Sequence, residues 1–476
     1  MKPKLRLLLS SLLIFTFLLS SQPTKAADPS TTTFYRGVDL SYVNAMEDCG
    51  ATYRVNGEPR DPYQLFADYG ANLVRVRLWH SPTWTKYSTL DDVIRSLKRA
   101  KALGLDTLLD FHNSDTWADP SKQIIPAAWA NITDVDELAQ TLHDYIYDTL
   151  MQLDSLDLLP TIVQVGNEIN SEILRPENSS GYPINWQRNA TLINAGIRGV
   201  RDAAAKAGSP IRVMLHIAQP EEVEGWLLAA TEAGVSDFDI VGVSYYKAWS
   251  SNTIKTVGNV INKLTNRFGK DVLIAETGYP WTLESVSESA SNIPNQDFLL
   301  DGYPATPEGQ KQYLIDLTQT VFASGGIGVI YWEPAWLSTR CHTLWGQGSH
   351  WENATFFDFK HNNEVLPAIE FLNFDYTYPV DATLRLNADN LPDQIYFRGD
   401  FTGLGKRPLP ITPRNGEYIV RVRLLPGTTI HYQFYSALPA STDTAIIRGT
   451  CVDDQGQASI TLRASSIFDH GDGNCP

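Results

Sequence analysis

Two glutamates of the chain each follow a short apolar run that has the pattern of a buried strand. Glu168 follows the run at residues 162–165, and Glu276 follows the run at residues 272–275. Two carboxyl groups that face one cleft can hydrolyse a glycosidic bond, because one protonates the leaving oxygen while the other supports the anomeric carbon. A single glutamate at a strand end is more often a salt-bridge or capping residue, so this hypothesis depends on the pair.

The separation of the two carboxyl groups decides the stereochemistry of such a reaction. Groups about 5 Å apart allow direct attack with retention of configuration, whereas about 6.5 Å or more leaves room for a water molecule and gives inversion. Asn167, next to Glu168, is suited to bind the sugar hydroxyl beside the anomeric carbon. That contact strengthens as charge develops in the transition state.

These glutamates need a scaffold that brings distant strand ends together. Short β-rich runs alternate with amphipathic helical stretches over residues 34–374, a pattern typical of parallel strands joined by crossover helices. The number of runs predicts an α/β fold, a (β/α)8 TIM barrel, whose catalytic groups lie at the carboxyl ends of strands. The alternative is an open doubly wound sheet, but no Gly-rich phosphate loop follows the first strand. The predicted strands are residues 35–40, 72–78, 106–111, 162–165, 211–215, 240–243, 272–275 and 327–331.

Polar and aromatic residues are concentrated just behind several of these strands. Any one of the aromatic residues could simply pack in the core, but their concentration at strand ends favours a cleft in which sugars stack. The residues are His112, Asp115, Trp117 and Asp119 after the third strand, His216 after the fifth, Tyr245 and Tyr246 after the sixth, and Trp332, Glu333 and Trp336 after the eighth.

Two arginines lie on the second predicted strand. We interpret Arg75 and Arg77 as alternating along the strand, so that only one of them faces the interior. An arginine buried beside Glu276 would hold that carboxylate ionised and lower its pKa, while the other would serve an outer ion pair.

The two ends of the chain differ from the predicted barrel. Residues 375–476 lose helical periodicity and show short alternating runs at 394–398, 418–424 and 429–435, which predicts a small all-β sandwich. Residues 1–26 have the pattern of a signal peptide, with Lys2, Lys4 and Arg6 before an apolar run at 7–19. A membrane anchor is the alternative, but the run is shorter than the roughly 20 residues that span a bilayer. We therefore expect a secreted, extracellular protein that is not membrane-bound after cleavage of the signal.

Charge and cysteine content restrict the partners. The net charge is −16, which repels phosphate backbones and argues against nucleic acid. In an oxidising compartment Cys451 and Cys475 could form a local bridge, whereas pairing Cys49 with Cys341 would require barrel loops to meet. The cysteines and histidines lack the spacing of a structural zinc site. We expect a monomer that binds a polysaccharide.

The chain over residues 34–374 resembles glycoside hydrolase family 53, the arabinogalactan endo-β-1,4-galactanases. The resemblance lies in several separate segments that occur in the right order. They are residues 36–39 (RGVD), 72–79 (NLVRVRLW), 114–120 (SDTWADP), 166–169 (GNEI), 242–246 (GVSYY) and 331–336 (YWEPAW).

The resemblance implies a retaining double displacement on galactan of plant cell-wall pectin, with Glu168 as acid/base and Glu276 as nucleophile. It assigns the family's second-strand arginine to Arg75, and implies substrate-binding roles for Asp39, His112, Asp115, Trp117, Asn167, His216, Tyr245 and Trp336. Lys247 and Asn113 depart from the family's usual residues, and residues 285–306 lack the pattern of its calcium-binding bacterial members. We expect no cofactor and no metal; calcium at Asp297 and Asp301 is the alternative.

Two other functions stay open. Strand-end glutamates are shared by other retaining enzymes on this barrel, such as mannanases and cellulases, and only the residues that contact the sugar distinguish them. A catalytically silent carbohydrate-binding barrel is the second alternative, against which the presence of Glu168, Glu276, Asn167 and Arg75 argues. The C-terminal segment is similar to the early-set sandwiches found beside carbohydrate-active enzymes.

Overall fold

A closed barrel of eight parallel strands forms the centre of the molecule. The computed structural model describes residues 33–289, 291–344, 346–387, 389–400, 408–454, 456–471 and 473. Each strand pairs with its sequence neighbours, and β1 closes the barrel by pairing with both β2 and β8. The prediction of a TIM barrel is therefore confirmed. The barrel strands are β1 Tyr35–Asp39, β2 Leu73–Leu78, β3 Asp106–Phe111, β4 Ile162–Val165, β5 Arg212–Ala218, β6 Ile240–Tyr245, β7 Asp271–Thr277 and β8 Gly328–Tyr331.

Helices surround the barrel and connect its strands. Side chains of Thr89, Asp134 and Thr253 accept from backbone N–H groups in the first turn of α3, α4 and α7, which fixes where these helices begin. Helix α5 is capped at its carboxyl end by Gly208, which has a left-handed backbone conformation (φ 67°). Glycine adopts this conformation without strain because it has no Cβ. The helices are α1 Val43–Asp48, α2 Pro62–Asp68, α3 Leu90–Ala102, α4 Val135–Ser155, α5 Trp186–Ala207, α6 Pro220–Glu232, α7 Ile254–Phe268 and α8 Pro307–Ala323.

The lower half of the barrel interior is an apolar layer. Its side chains are fully buried and come from the amino-terminal parts of the strands, as in Leu73, Leu108, Ile162 and Met214. Because side chains alternate along a strand, the residues two positions further along also face inward. On β2 to β5 the next inward side chain, from Arg75, Asp110, Gln164 and His216, therefore lies at the barrel mouth.

Two β-sheets follow the barrel in sequence and share one hydrophobic core. Inward residues such as Leu384 and Val420 of the first sheet pack with Phe397 and Phe434 of the second. This confirms the C-terminal β-sandwich, which contacts the barrel where Arg421 N–H donates to Asn266 Oδ1 at 2.9 Å. In spatial order the first sheet holds Glu417–Leu424, Val380–Asn387 and Ser466–Asp469, and the second holds Leu409–Ile411, Ile395–Gly399, Thr429–Tyr435 and Ala458–Thr461.

A disulfide joins two loops at the barrel mouth. Cys49, after α1, is bonded to Cys341 in the loop after β8, across a sequence separation of 292 residues. The loops do meet, because β1 and β8 are neighbours in the closed barrel. The other predicted pair includes Cys475, which lies outside the described residues, as does the predicted signal peptide at residues 1–26.

Short strands in the loops form two small additional sheets. They are Tyr53–Val55, Glu58–Arg60, Phe357–Asp358 and Glu364–Val365 in one sheet, and His342–Thr343 with Gly346–Gln347 in another. None of the helices in the described part of the chain is both long and apolar enough to cross a bilayer.

Candidate active site

A cavity of about 880 Å³ opens at the carboxyl ends of the barrel strands, and both Glu168 and Glu276 line it. Aromatic side chains make up much of its wall, including Trp117, Trp332 and Trp351. The two carboxyl groups therefore meet in one cleft, which is the arrangement on which the sequence hypothesis depends.

Glu168 lies just beyond the end of β4 in a left-handed backbone conformation, with φ 45°. Such a conformation is uncommon for a residue with a Cβ and is found where a functional side chain must be aimed. The Ser244 hydroxyl donates to Glu168 Oε1 at 2.6 Å. Burial raises the pKa of Glu168 to about 8, and repulsion by Glu276 adds to the increase. These surroundings therefore favour the protonated form of Glu168.

Glu276 points into the cavity because β7 contains a bulge. Leu273 and Ala275 both face the interior, so simple alternation would turn Glu276 outward. The register between β6 and β7 shifts so that Ser244 pairs with Glu276 directly after Val243 pairs with Ile274. The extra residue rotates Glu276 into the mouth.

Glu276 has two partners that stabilise its ionised form. Arg75 Nη1 lies 2.9 Å from Oε1, and the Tyr246 hydroxyl donates to Oε2 at 2.9 Å. Burial nevertheless raises the pKa of Glu276 to about 7, with Arg75 opposing the increase. Arg75 lowers the pKa of Glu276, as predicted, but the cost of desolvation is larger than this attraction, so the pKa stays above its ordinary value.

Arg75 holds several acceptors at the centre of the mouth. Its guanidinium contacts Asp39 at 2.7 Å and Asp110 at 2.8 Å in addition to Glu276. The same group donates to Asn167 Oδ1 at 2.8 Å. The carboxyl groups of Asp39, Asp110 and Glu276 are all buried, so they would repel one another strongly. The positive charge of Arg75 offsets this repulsion.

Arg77 also faces the interior, which corrects the interpretation that only one arginine could. Residues two apart on a strand share a face, so Arg77 follows Arg75 into the mouth and lines the same cavity. It pairs with the buried Glu333 at 3.3 Å rather than with an outer carboxylate. Its guanidinium also lies over the rings of Trp79 and Trp117, at 4.7 and 4.2 Å.

Four of the predicted substrate-binding residues line the cavity. These are Arg75, His112, Trp117 and Asn167. Both ring nitrogens of His112 are engaged, since Nδ1 accepts from Ala118 N–H and Nε2 lies 3.1 Å from Asp110. His112 therefore lines the cavity with both of its nitrogens already engaged.

The remaining predicted substrate-binding residues lie behind or beside the cavity. Asp39 and His216 are buried beneath it, and Trp336 is stacked on Tyr42 with a centroid separation of 3.9 Å. Tyr245 is buried and donates to Asn252 O. Asp115 accepts from the backbone N–H groups of Ser81 and Ala127, and so braces two loops.

Several side chains that contact Glu168, Glu276 or Arg75 were not assigned a catalytic or substrate-binding role from the sequence, although Tyr246 was named there among the strand-end aromatic residues. Ser244 and Tyr246 contact Glu168 and Glu276, and Gln164 and Asp110 contact Arg75. Alternation could have identified Ser244, because it is four positions beyond the inward-facing Ile240 on β6. Tyr246 lies one residue beyond the end of β6, in extended backbone that continues the same alternation. Tyr182 and Trp249, which are 56% and 50% exposed, also line the cavity from the loops after β4 and β6.

The two aspartates of the alternative calcium site are Asp297 and Asp301. Asp297 lies in a short 3₁₀ helix, Gln296–Phe298, and both aspartates are exposed to solvent. Over the described ranges, no group of three or more His, Cys, Asp or Glu side chains could hold a metal ion.

The barrel and the paired carboxyls define a glycoside hydrolase, and the sequence identifies its family. The model of glycosyl hydrolase family 53 matches residues 35–372, so the chain belongs to that family. An arabinogalactan endo-β-1,4-galactanase from Cellvibrio japonicus is 57% identical over 352 residues, which are 74% of this chain and 93% of the relative. An endo-β-1,4-galactanase from Bacillus subtilis is 33% identical over 72% of this chain and 86% of the relative.

Solved structures of the same family have the same barrel. The family 53 catalytic domain from Ignisphaera aggregans superposes with a TM-score of 0.67 at 31% identity, covering 73% of this chain and 98% of that domain. A fungal β-1,4-galactanase gives a TM-score of 0.62 at 31% identity, covering 71% of this chain and 98% of the other.

Proposed function

We propose that the chain is a secreted endo-hydrolase that cleaves β-1,4-galactosidic bonds in galactan with retention of configuration. The observation that carries this proposal is the asymmetric pair of glutamates in one cavity. Glu276 contacts Arg75 and the Tyr246 hydroxyl, whereas Glu168 contacts the uncharged Ser244 hydroxyl. Two carboxyl groups in such different surroundings can take the two different roles that the reaction needs.

In the first step Glu276 attacks the anomeric carbon and forms a glycosyl ester, while Glu168 gives its proton to the leaving oxygen. In the second step Glu168, now ionised, takes a proton from water, and the hydroxide that results displaces Glu276. The direction of these roles follows from the surroundings, since Arg75 favours the ionised form of Glu276 and burial favours the protonated form of Glu168.

The other cavity residues support binding of a neutral sugar chain. Trp117, Trp332 and Trp351 offer aromatic faces and edges of the kind on which the C–H faces of sugars pack. The second hydrogen of Asn167 Nδ2, whose first goes to Ala118 O, is available for the sugar hydroxyl beside the anomeric carbon. The names of the family relatives identify β-1,4-galactan as the substrate class to test first.

The remaining parts of the proposal rest on the sequence. Residues 1–26 would direct export, so that a barrel of residues 34–374 and a sandwich of residues 375–476 act as a monomer on galactan side chains of cell-wall pectin outside the cell. The reaction needs two carboxyl groups and water, and we propose that it proceeds without a cofactor.

The experiment compares wild-type protein with the Glu276→Gln variant on galactan, galactomannan and cellulose. We expect wild-type protein to release oligosaccharides mainly from galactan, and the variant to bind galactan but to release almost nothing. Stronger release from galactomannan or cellulose would instead favour a mannanase or cellulase. Absence of release from all three by folded wild-type protein would favour the catalytically silent barrel.

A further inference from the structure

A buried chain of hydrogen bonds runs from Glu168 away from the cavity. The Ser244 hydroxyl donates to Glu168 Oε1 at 2.6 Å, and His216 Nε2 lies 2.8 Å from the same Ser244 oxygen. Ser244 and His216 are both inaccessible to solvent. Neither residue lines the cavity, so neither is placed to touch a substrate.

The neighbours of His216 decide which of its nitrogens carries the hydrogen. Gln164 Nε2, which can only donate, lies 3.0 Å from His216 Nδ1. Asn167 Oδ1 is equally near, but it already accepts from Arg75 and Gln164. Gln164 Nε2 also lies 3.2 Å from Gly166 O, so its two hydrogens have three acceptors in reach. The Ser244 hydroxyl settles the choice, because its one hydrogen goes to Glu168 Oε1 and its oxygen must accept from His216 Nε2. The hydrogen of the neutral ring is therefore on Nε2, and Nδ1 is an acceptor.

We propose that Ser244, oriented by His216, is a positioning residue that binds Glu168 Oε1 in both steps, so that Oε2 alone exchanges the proton with the substrate and with water. This inference rests on the proposed acid/base role of Glu168 and extends it. It also gives His216 a role other than the direct sugar contact that the family resemblance implied.

The hydroxyl also affects the acidity of Glu168, because a donated hydrogen bond favours the carboxylate. Ser244 lowers the pKa of Glu168, against the larger effects of burial and of repulsion by Glu276. Asp119 also raises it, and Arg75 lowers it. Glu168 is thus kept acidic enough to release its proton in the first step.

The surroundings of His216 keep its ring neutral. Burial, Arg75 and His112 lower its pKa, while Asp110 acts in the opposite direction. A neutral ring can donate from only one nitrogen, so its orientation fixes the direction of the whole chain of hydrogen bonds.

The test measures the pKa of Glu168 directly by NMR of protein labelled with ¹³C at glutamate carboxyls, with the signal assigned by the Glu168→Gln variant. We expect Ser244→Ala to raise the pKa by about 1 unit, because a hydrogen bond to a charged group is lost. The alkaline limb of kcat/KM on galactan should move to higher pH by the same amount. Ser244→Thr keeps the hydroxyl and should restore the wild-type value.

A matched pair of variants separates orientation from packing. His216→Gln can place an amide N–H near the position of Nε2, whereas His216→Asn places it near Nδ1. We expect the pKa of Glu168 to rise in the Asn variant and to stay near the wild-type value in the Gln variant. The two His216 variants also test the proposal if Ser244→Ala does not fold.

A pKa of Glu168 unchanged within about 0.2 unit in folded Ser244→Ala, or in folded His216→Asn, would overturn the proposal, because a hydrogen bond to a carboxylate should move the pKa by much more. If instead the NMR shift occurs but wild-type protein does not cleave galactan, the proposed function fails while the contact between Ser244 and Glu168 stands.

Discussion

The lower and upper halves of the barrel interior are built by the same strands but contain opposite kinds of side chain. On β2 the lower residue is Leu73 and the next inward residue is Arg75, and on β3 Leu108 is followed by Asp110. Strands β4 and β5 repeat the change, from Ile162 to Gln164 and from Met214 to His216. A step of two residues thus separates an apolar layer from a buried polar layer.

The difference separates the half that stabilises the fold from the half to which we assign the chemistry. Burying apolar side chains contributes favourably to folding, whereas burying charges costs free energy that ion pairs only partly return. The upper layer nevertheless places Arg75 among Asp39, Asp110 and Glu276. Such a cluster is consistent with the proposed need to hold the buried Glu276 carboxylate ionised.

The largest effect should come from removing the charge at the centre of the upper layer. Arg75→Met leaves the buried carboxylates without their common partner, so we expect a stability loss of about 3–5 kcal/mol. Activity on galactan should fall by more than about 10³-fold, because Glu276 loses the group that favours its ionised form. Thermal unfolding and kcat/KM are measured together, with Arg75→Lys as the control that keeps the charge. Activity within tenfold of wild type would contradict this assignment.

A substitution in the lower layer should reduce stability but leave activity almost unchanged. Leu108→Ala removes a fully buried side chain from the apolar layer and should cost about 2–5 kcal/mol, while kcat changes by less than about twofold. Leu109→Ala is the matched control, because Leu109 is equally buried on the face of β3 that meets the helices. A large loss of kcat without a loss of stability would show that the two layers are not separate in function.

A smaller effect should follow from removing one hydroxyl in the upper layer. Tyr246→Phe deletes the donor to Glu276 Oε2, and we expect kcat to fall about 10- to 100-fold. The hydroxyl lowers the pKa of Glu276, so its loss raises that pKa and moves the acid limb of kcat/KM to higher pH. Tyr245→Phe, whose hydroxyl donates to Asn252 O, should leave the limb in place. A shift of equal size in both variants would argue against the contact with Glu276.

The smallest effect should come from a predicted sugar-binding residue outside both layers. Asp115 accepts from Ser81 and Ala127 N–H groups, so Asp115→Ala should cost about 1–2 kcal/mol through the loss of these hydrogen bonds. We expect KM for galactan to change by less than about threefold, because the cavity does not include Asp115. A tenfold rise in KM at unchanged stability would restore the direct role that the resemblance implied.

The sequence was sufficient for the strands and for the two glutamates, because hydrophobic runs and strand ends are local features. It was also sufficient, in principle, for Arg77 and Ser244, since each follows from alternation along its strand, and for Tyr246, which continues the alternation one residue beyond β6. The inward direction of Glu276 could not be predicted in this way, because it depends on a bulge in β7. The bulge is visible only in the pairing with β6, where Val243 pairs with Ile274 and Ser244 pairs with Glu276.

Contacts between loops were less accessible to prediction. The Cys49–Cys341 disulfide and the Ser81 and Ala127 contacts of Asp115 depend on how loops fold over the mouth. The pKa of Glu276 depends on the balance between burial and Arg75, and the depth of burial cannot be read from neighbouring residues in the sequence.

The central claim is that Glu276 forms a covalent bond to the sugar while Glu168 transfers the proton. The most direct measurement uses a 2-deoxy-2-fluoro-β-galactoside with an activated leaving group, which slows breakdown of the glycosyl ester, followed by mass spectrometry of the protein and its peptides. We predict one sugar adduct per chain, on the peptide that contains Glu276, and none in Glu276→Gln. An adduct on another residue, or galactan cleavage with inverted product and no adduct, would contradict the account.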